Sequence, residues 1–144
     1  MTHLCDSNVL VALVAARHPH HAKALAWFEG LAPDDSLVIC RMTQLSFLRL
    51  ITTQAVMQAE TCSNTEAAAV MATLQSDARI EWIAHEPAGL GQVWMNFSSL
   101  GQASPKVWMD AYLVAFAMCA QMRLVTFDRG FDRWRDGGLD LLLL

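Results

Sequence analysis

The chain has 144 residues, of which 54% are hydrophobic and 17% charged, with a formal net charge of −4. Such a length fits a single domain over residues 1–144 whose core buries roughly 68% of the unfolded chain's surface, and the composition excludes a disordered tail. The negative balance and the lack of a long basic run exclude nucleic-acid binding through a global positive field; any such ligand must be held locally, by scattered Arg and Lys or by metal.

Residues 2–6 read as a short apolar strand closed by Asp6. Ser7 or Asn8 can cap the following helix, over 9–16, which is apolar nearly all round. Arg17, His18 and Pro19 break it. A second helix over 20–30 puts Ala24, Trp27, Phe28 and Leu31 on one face. Residues 32–35 form a loop, and 36–40 a continuous apolar strand of the kind parallel sheets bury on both faces. Thr43 caps the next helix, to about residue 52, with Leu45, Phe47 and Leu48 inward. After a mixed connection, Ser63 to Glu66 carries a capping signal for a helix to about residue 76. Residues 79–83 form a third strand, and a helical stretch runs from 86 to about 100. Ser104 and Pro105 start a helix to about residue 121. A fourth strand over 123–126, a loop with a helical turn over 127–138 and a fifth strand over 139–144 complete the chain.

Alternating strands and helices imply an α/β fold: three α/β/α layers around a central parallel sheet of four to five strands. In open parallel sheets, sites form at the carboxyl ends of strands. Asp6 and Asp128 stand at two such ends. Asp110 lies about one turn into a helix that begins on the same side.

A carboxylate in an apolar setting costs stability unless something uses it. Three that converge resist ionising together, and Mg²⁺ or Mn²⁺ would offset that repulsion. These ions take oxygen ligands and supply the Lewis acidity that phosphodiester hydrolysis needs. Each acid also has a plainer reading. Asp6 could be an N-cap, Asp110 half of a surface i, i+4 pair with Lys106, and Asp128 a turn residue before Gly130.

Cys5, Cys40, Cys62 and Cys119 show no CxxC or zinc spacing, and a reducing cytoplasm is the simplest expectation. Asp6 interrupts any signal-peptide layout, and no apolar stretch is long enough to span a bilayer. His18, His20 and His21 read as a surface cluster at a helix start rather than a metal site. Arg129, Arg133 and Arg135 interleave with Phe131 and Trp134; that mixture suits single-stranded RNA, or equally a packed rim of the sheet. Thr126 is placed to hydrogen-bond a ligating carboxylate.

Four segments in order carry a resemblance: Leu4 to Leu13 around Asp6, Thr43 to Leu50, Ser104 to Leu113 around Asp110, and Leu124 to Phe131 around Asp128. Together with His18 to His21 followed by Ala26-Trp27-Phe28, they resemble the PIN-domain ribonucleases of the VapC toxin type. The resemblance implies a Mg²⁺-dependent endoribonuclease (Mn²⁺ substituting) that is the toxin of a type II toxin–antitoxin system. An RNA substrate, a cognate antitoxin and a homodimer would be its partners. It implies Asp6, Asp110 and Asp128 as metal ligands and catalytic residues. Gln44 stands where many PIN domains carry Glu, which favours one metal. Gln44 would orient water or a phosphate oxygen, or else be an ordinary first-turn helix residue. Gln44 also motivates the alternative of a catalytically weakened RNA- or protein-binding PIN module. A haloacid-dehalogenase-type phosphatase ranks low because Asn8 stands where its second Asp belongs.

Overall fold

The computed structural model describes residues 1–144. Five strands, β1 (Thr2–Cys5), β2 (Ser36–Cys40), β3 (Ile80–Ile83), β4 (Arg123–Thr126) and β5 (Leu141–Leu143), form one sheet in the order β3-β2-β1-β4-β5. Every neighbouring pair is parallel. The helices are α1 (Ser7–Val14), α2 (His21–Glu29), α3 (Arg41–Ile51), α4 (Gln54–Met57), α5 (Asn64–Ser76), α6 (Leu90–Ser98) and α7 (Val107–Cys119). Short 3₁₀ turns cover Gln58–Glu60 and Arg129–Trp134.

The strands are apolar on both faces, and their period of two sorts them between two cores. Leu4, Val38 and Leu124 point into a core shared with α6 and α7. Their neighbours Cys5, Leu37, Ile39 and Val125 point into the opposite core, with α1, α3 and α5. Helix α7 is buried along most of its length, from Ala111 to Ala117, which its nearly unbroken apolar sequence requires. These are the three expected layers. No helix is long and apolar enough to cross a membrane.

Several helix starts differ from the sequence expectation. Helix α1 begins at Ser7, so Asp6 itself takes the N-cap position, and its side chain makes no capping bond. Helix α3 begins at Arg41, directly at the end of β2, and Thr43 is not its cap. The buried Thr43 hydroxyl instead donates to the Cys5 carbonyl at 2.9 Å, tying α3 to the end of β1. Leu45 is not inward; it is 59% exposed, while Phe47 is buried. Helix α7 starts at Val107, because the Ser104 carbonyl accepts from the Val107 N–H at 3.1 Å and closes a turn first. The Ser63–Glu66 capping box forms as expected, with both reciprocal bonds.

Strand β5 is shorter than expected. Leu139 spends its N–H on the Trp134 carbonyl at 3.2 Å and so closes the preceding turn, next to Gly138 at φ +99°.

Candidate active site

The chain leaves β1 toward β2 and β3, then crosses back to place β4 on the other side of β1. The strand order therefore reverses between β1 and β4, and crevices at the carboxyl ends of strands open at such a switch point. Asp6 is the first residue after β1, and Asp128 lies just past β4. Asp110, on the first turn of α7, arrives from the core side. All three line one cavity of about 260 Å³, together with Asn8, Ser46 and Lys106.

Thr126 organises the crevice. Its hydroxyl donates to Asp6 Oδ2 at 2.7 Å and accepts from Asn8 Nδ2 at 3.0 Å and from the Asp128 N–H at 3.0 Å. A hydroxyl has one proton and two lone pairs, so these three bonds saturate it. Asn8 Oδ1 also accepts from the Phe127 N–H at 3.3 Å. The ends of β1 and β4 are thus joined by side chains beyond the point where their ladder stops.

Burial pushes the Asp6 carboxyl above the ordinary Asp range, opposed in part by the Thr126 and Ser7 hydroxyls. Asp110 is raised too, first by burial; Lys106 opposes the shift, and Asp128 and Asp6 add to it. Asp128 moves the other way. Lys106 Nζ sits 2.5 Å from its Oδ2, and the Gly130 N–H donates to its Oδ1 at 2.7 Å. The same ammonium lies 3.9 Å from Asp110, and its own pKa is raised by Asp128 first. One lysine therefore bridges two of the three acids, and its stem is 71% exposed. No three of the His, Cys, Asp and Glu side chains stand at a spacing that would grip a single ion directly.

Gln44 does not reach this cavity. Its Oε1 accepts from Arg41 Nη1 at 2.5 Å, and α3 faces the crevice with Thr43 and Ser46 instead. At 3.6 residues per turn, positions 44 and 46 lie about 200° apart, so only one of them can face inward. The face shared by Thr43, Ser46 and Leu50, at i, i+3 and i+7, was the signal for Ser46.

The other sequence candidates separate clearly. His21 Nδ1 bonds the Ala12 carbonyl at 2.8 Å, and His20 stacks on Phe127 with ring centroids 4.5 Å apart; neither joins a metal cluster. Phe131 and Trp134 are buried in the core and offer no open platform for bases. Arg133 lies over the Trp134 ring at 3.9 Å, while Arg135 bonds Asp132 and the Leu141 carbonyl.

A family description for the PIN domain matches residues 4–136. Ribonuclease VapC41 of Mycobacterium tuberculosis is 40% identical over 98% of this chain and 97% of its own length. Ribonuclease VapC29 of the same organism is 32% identical over 90% of this chain and 88% of its own. Among solved structures, VapBC2 from Rickettsia felis, bound to a DNA fragment from their promoter, superposes with a TM-score of 0.70 at 17% identity. That match covers 99% of this chain and 98% of the other, and it speaks for the fold. Matched along most of its length, with three acids meeting where the strand order reverses, the chain belongs to the PIN-domain family and, within it, to the group of VapC ribonucleases.

Proposed function

We propose that this protein is a Mg²⁺-dependent endoribonuclease and the toxin of a type II toxin–antitoxin pair. The observation that carries the reading is the meeting of Asp6, Asp110 and Asp128, from three separate segments, in one cavity at the switch point. The donor set fits a hard divalent cation: carboxylate oxygens, with Asn8 and Ser46 beside them. Electrostatics agree, because burial first, and then Asp128 and Asp6, penalise ionisation of Asp110.

Asp6, Asp110 and Asp128 would hold the ion, at least one of them through its water shell, and the ion would supply Lewis acidity and offset phosphate charge. The protein's own residues do the rest. Thr126 fixes the Asp6 carboxylate and the Asn8 amide. Lys106, on its exposed stem, supplies a point charge for a phosphate oxygen. Ser46 brings a hydroxyl from α3. The relatives are named as ribonucleases, and the Rickettsia felis structure is of a VapBC pair. An antitoxin partner and a second copy of the chain belong to the same reading.

One observation favours a rival, an RNA- or protein-binding module that no longer cuts: α3 brings the hydroxyls of Thr43 and Ser46, the Arg49 guanidinium and the apolar Met42 and Leu50 to the cavity, and no fourth acid. The test is cleavage of structured RNA by the purified chain in Mg²⁺, in chelator, and with Asp6→Asn. The nuclease reading expects cleavage only in the first. Mn²⁺ titration of the same proteins gives a readout without turnover, and Asp6→Asn should weaken binding. Cleavage indifferent to chelator and to that substitution ends the proposal; RNA binding without cleavage selects the rival.

A further inference from the structure

We infer that a second cavity, beside the acidic one, seats a nucleobase of the RNA, with Arg41 as its stacking platform and Glu86 as the reader of its N–H edge. The inference rests on the reading of the protein as an RNA-processing enzyme and extends it to the substrate's bases.

This cavity has a volume of about 400 Å³, within the range of small-molecule sites (roughly 300–1,000 Å³). It opens where β2 and β3 end, since Arg41 follows Cys40 and Ala84 follows Ile83. Met42 lines both cavities, so the two are neighbours across one side chain. The walls are mostly apolar, with Leu45, Ile83 and Phe116 among them.

Two polar groups at this cavity are held in place. The Arg41 guanidinium lies over the Trp82 ring, 4.4 Å from its centroid, and Gln44 takes its Nη1. No carboxylate pairs with it. A guanidinium anchored over a ring and by an amide in this way is a surface on which a base stacks. The second group is Glu86, whose Oε1 accepts from the Tyr112 hydroxyl at 2.9 Å. Burial, and then Glu86, push the Tyr112 pKa up, so its hydroxyl stays protonated and donates. Oε2 of Glu86 has no partner within the protein and remains free to accept.

The charges choose the occupant. A free carboxylate disfavours a phosphate or an acidic peptide, and an unpaired guanidinium disfavours a basic one. A neutral planar ring suits the apolar walls and the cation, and an edge with N–H donors suits Glu86. Guanine meets both needs best, because N1–H and N2–H present adjacent donors to a carboxylate. Gln44 acts as a positioning residue here: it holds Arg41.

The test uses fluorescein-labelled decamers of uridine whose fifth position is guanosine, uridine or an abasic ribose. Anisotropy is read in chelator, where nothing is cut. Wild type should bind the guanosine decamer about fivefold or more tighter than the abasic one, the size of one stacking contact. Arg41→Ala should bind the two alike. Glu86→Gln should keep a preference for base over abasic ribose but lose the preference for guanosine over uridine. Gln44→Ala should reduce the base-to-abasic ratio, and Gln44→Glu should retain it. Both Arg41 and Glu86 are exposed, so the variants fold. Absent binding, or wild-type binding indifferent to the base, overturns the inference; so does full discrimination by Arg41→Ala. Mg²⁺-dependent cleavage of the same decamers separates the two claims. Cutting without base preference leaves the nuclease standing and removes this site; base-dependent binding without cutting does the reverse.

Discussion

Thr126 donates its hydroxyl proton to Asp6 at 2.7 Å, at 0% exposure, across the gap between two parallel strands. The same oxygen accepts from Asn8 and from the Asp128 backbone, so one side chain orients two others and a backbone N–H. Thr126→Val keeps the shape and removes the bonds. It leaves two donors and a buried carboxylate short of a partner, which costs about 1–3 kcal/mol. Urea unfolding measures that loss. Mn²⁺ affinity should fall about 10–100-fold, as for groups that sit behind metal ligands. Thr126→Ser should retain both properties; equal loss in Ser and Val would remove the hydroxyl from the account.

Asp110→Asn should separate stability from activity. The folded-state pKa of Asp110 lies above its ordinary value, so its ionised form is disfavoured in the fold. The stability linked to this group is present at low pH and lost as pH rises through the raised pKa. A neutral amide avoids that loss, and the cation-free protein at pH 7 should gain about 0.5–2 kcal/mol, the usual scale of such trade-offs. RNA cleavage should drop on the order of 100-fold or more. Thermal unfolding in chelator and a cleavage assay in Mg²⁺ check the two halves. A destabilised variant would mean that Lys106 outweighs burial and the neighbouring acids.

Positions 44 and 46 make a matched pair. Gln44→Glu should leave Mn²⁺ affinity unaltered, because residue 44 turns toward Arg41. Ser46→Asp places a new carboxylate on the cavity wall and should tighten Mn²⁺ binding. Isothermal titration of both variants decides which face of α3 looks at the ion. The opposite ranking would put residue 44 inside.

His3 predicts a pH dependence far from the crevice. It is 3% exposed, its ring nitrogens lack hydrogen bonds, and Asp35 Oδ2 is 3.7 Å away. Burial lowers its pKa below the ordinary 6.5, with Asp35 opposing. The unfolded chain therefore takes up a proton first as pH falls. Stability should be full above pH 6.5 and decline as pH drops from there toward the folded pKa. His3→Leu should flatten the difference in urea midpoint between pH 7.5 and 5.5 (two test values about one unit either side of the ordinary pKa). A wild-type slope that persists in the variant would point to other groups.

The fold was legible because its strands are continuous apolar runs, which only a sheet covered on both faces can bury. The convergence of Asp6, Asp110 and Asp128 on one cavity was legible for the complementary reason: two are charges at the ends of such runs, and the third stands in the first turn of an apolar helix. Gln44 misled because a motif in sequence records spacing and not helix phase. Once α3 starts flush with the end of β2, Thr43 and Ser46 face the crevice and Gln44 turns away. Thr43 read as a cap because capping and buried bonding use the same residue types. The rings of Phe131 and Trp134 were equally open to RNA and to packing; their burial settles them as core.

Lys106 gives the acids a resident counter-charge that cannot diffuse away. Its ammonium is tethered by its own stem, so its local concentration is fixed by geometry and is indifferent to dilution. On the proposed reading, an arriving divalent ion would compete with an intramolecular rival, and the affinity it showed would be a difference between two cations. Loading the cavity would then free the ammonium at its mouth, when a polyanion would have most use for it. Entry of the cation and capture of the anion would thereby be coupled through one exposed side chain.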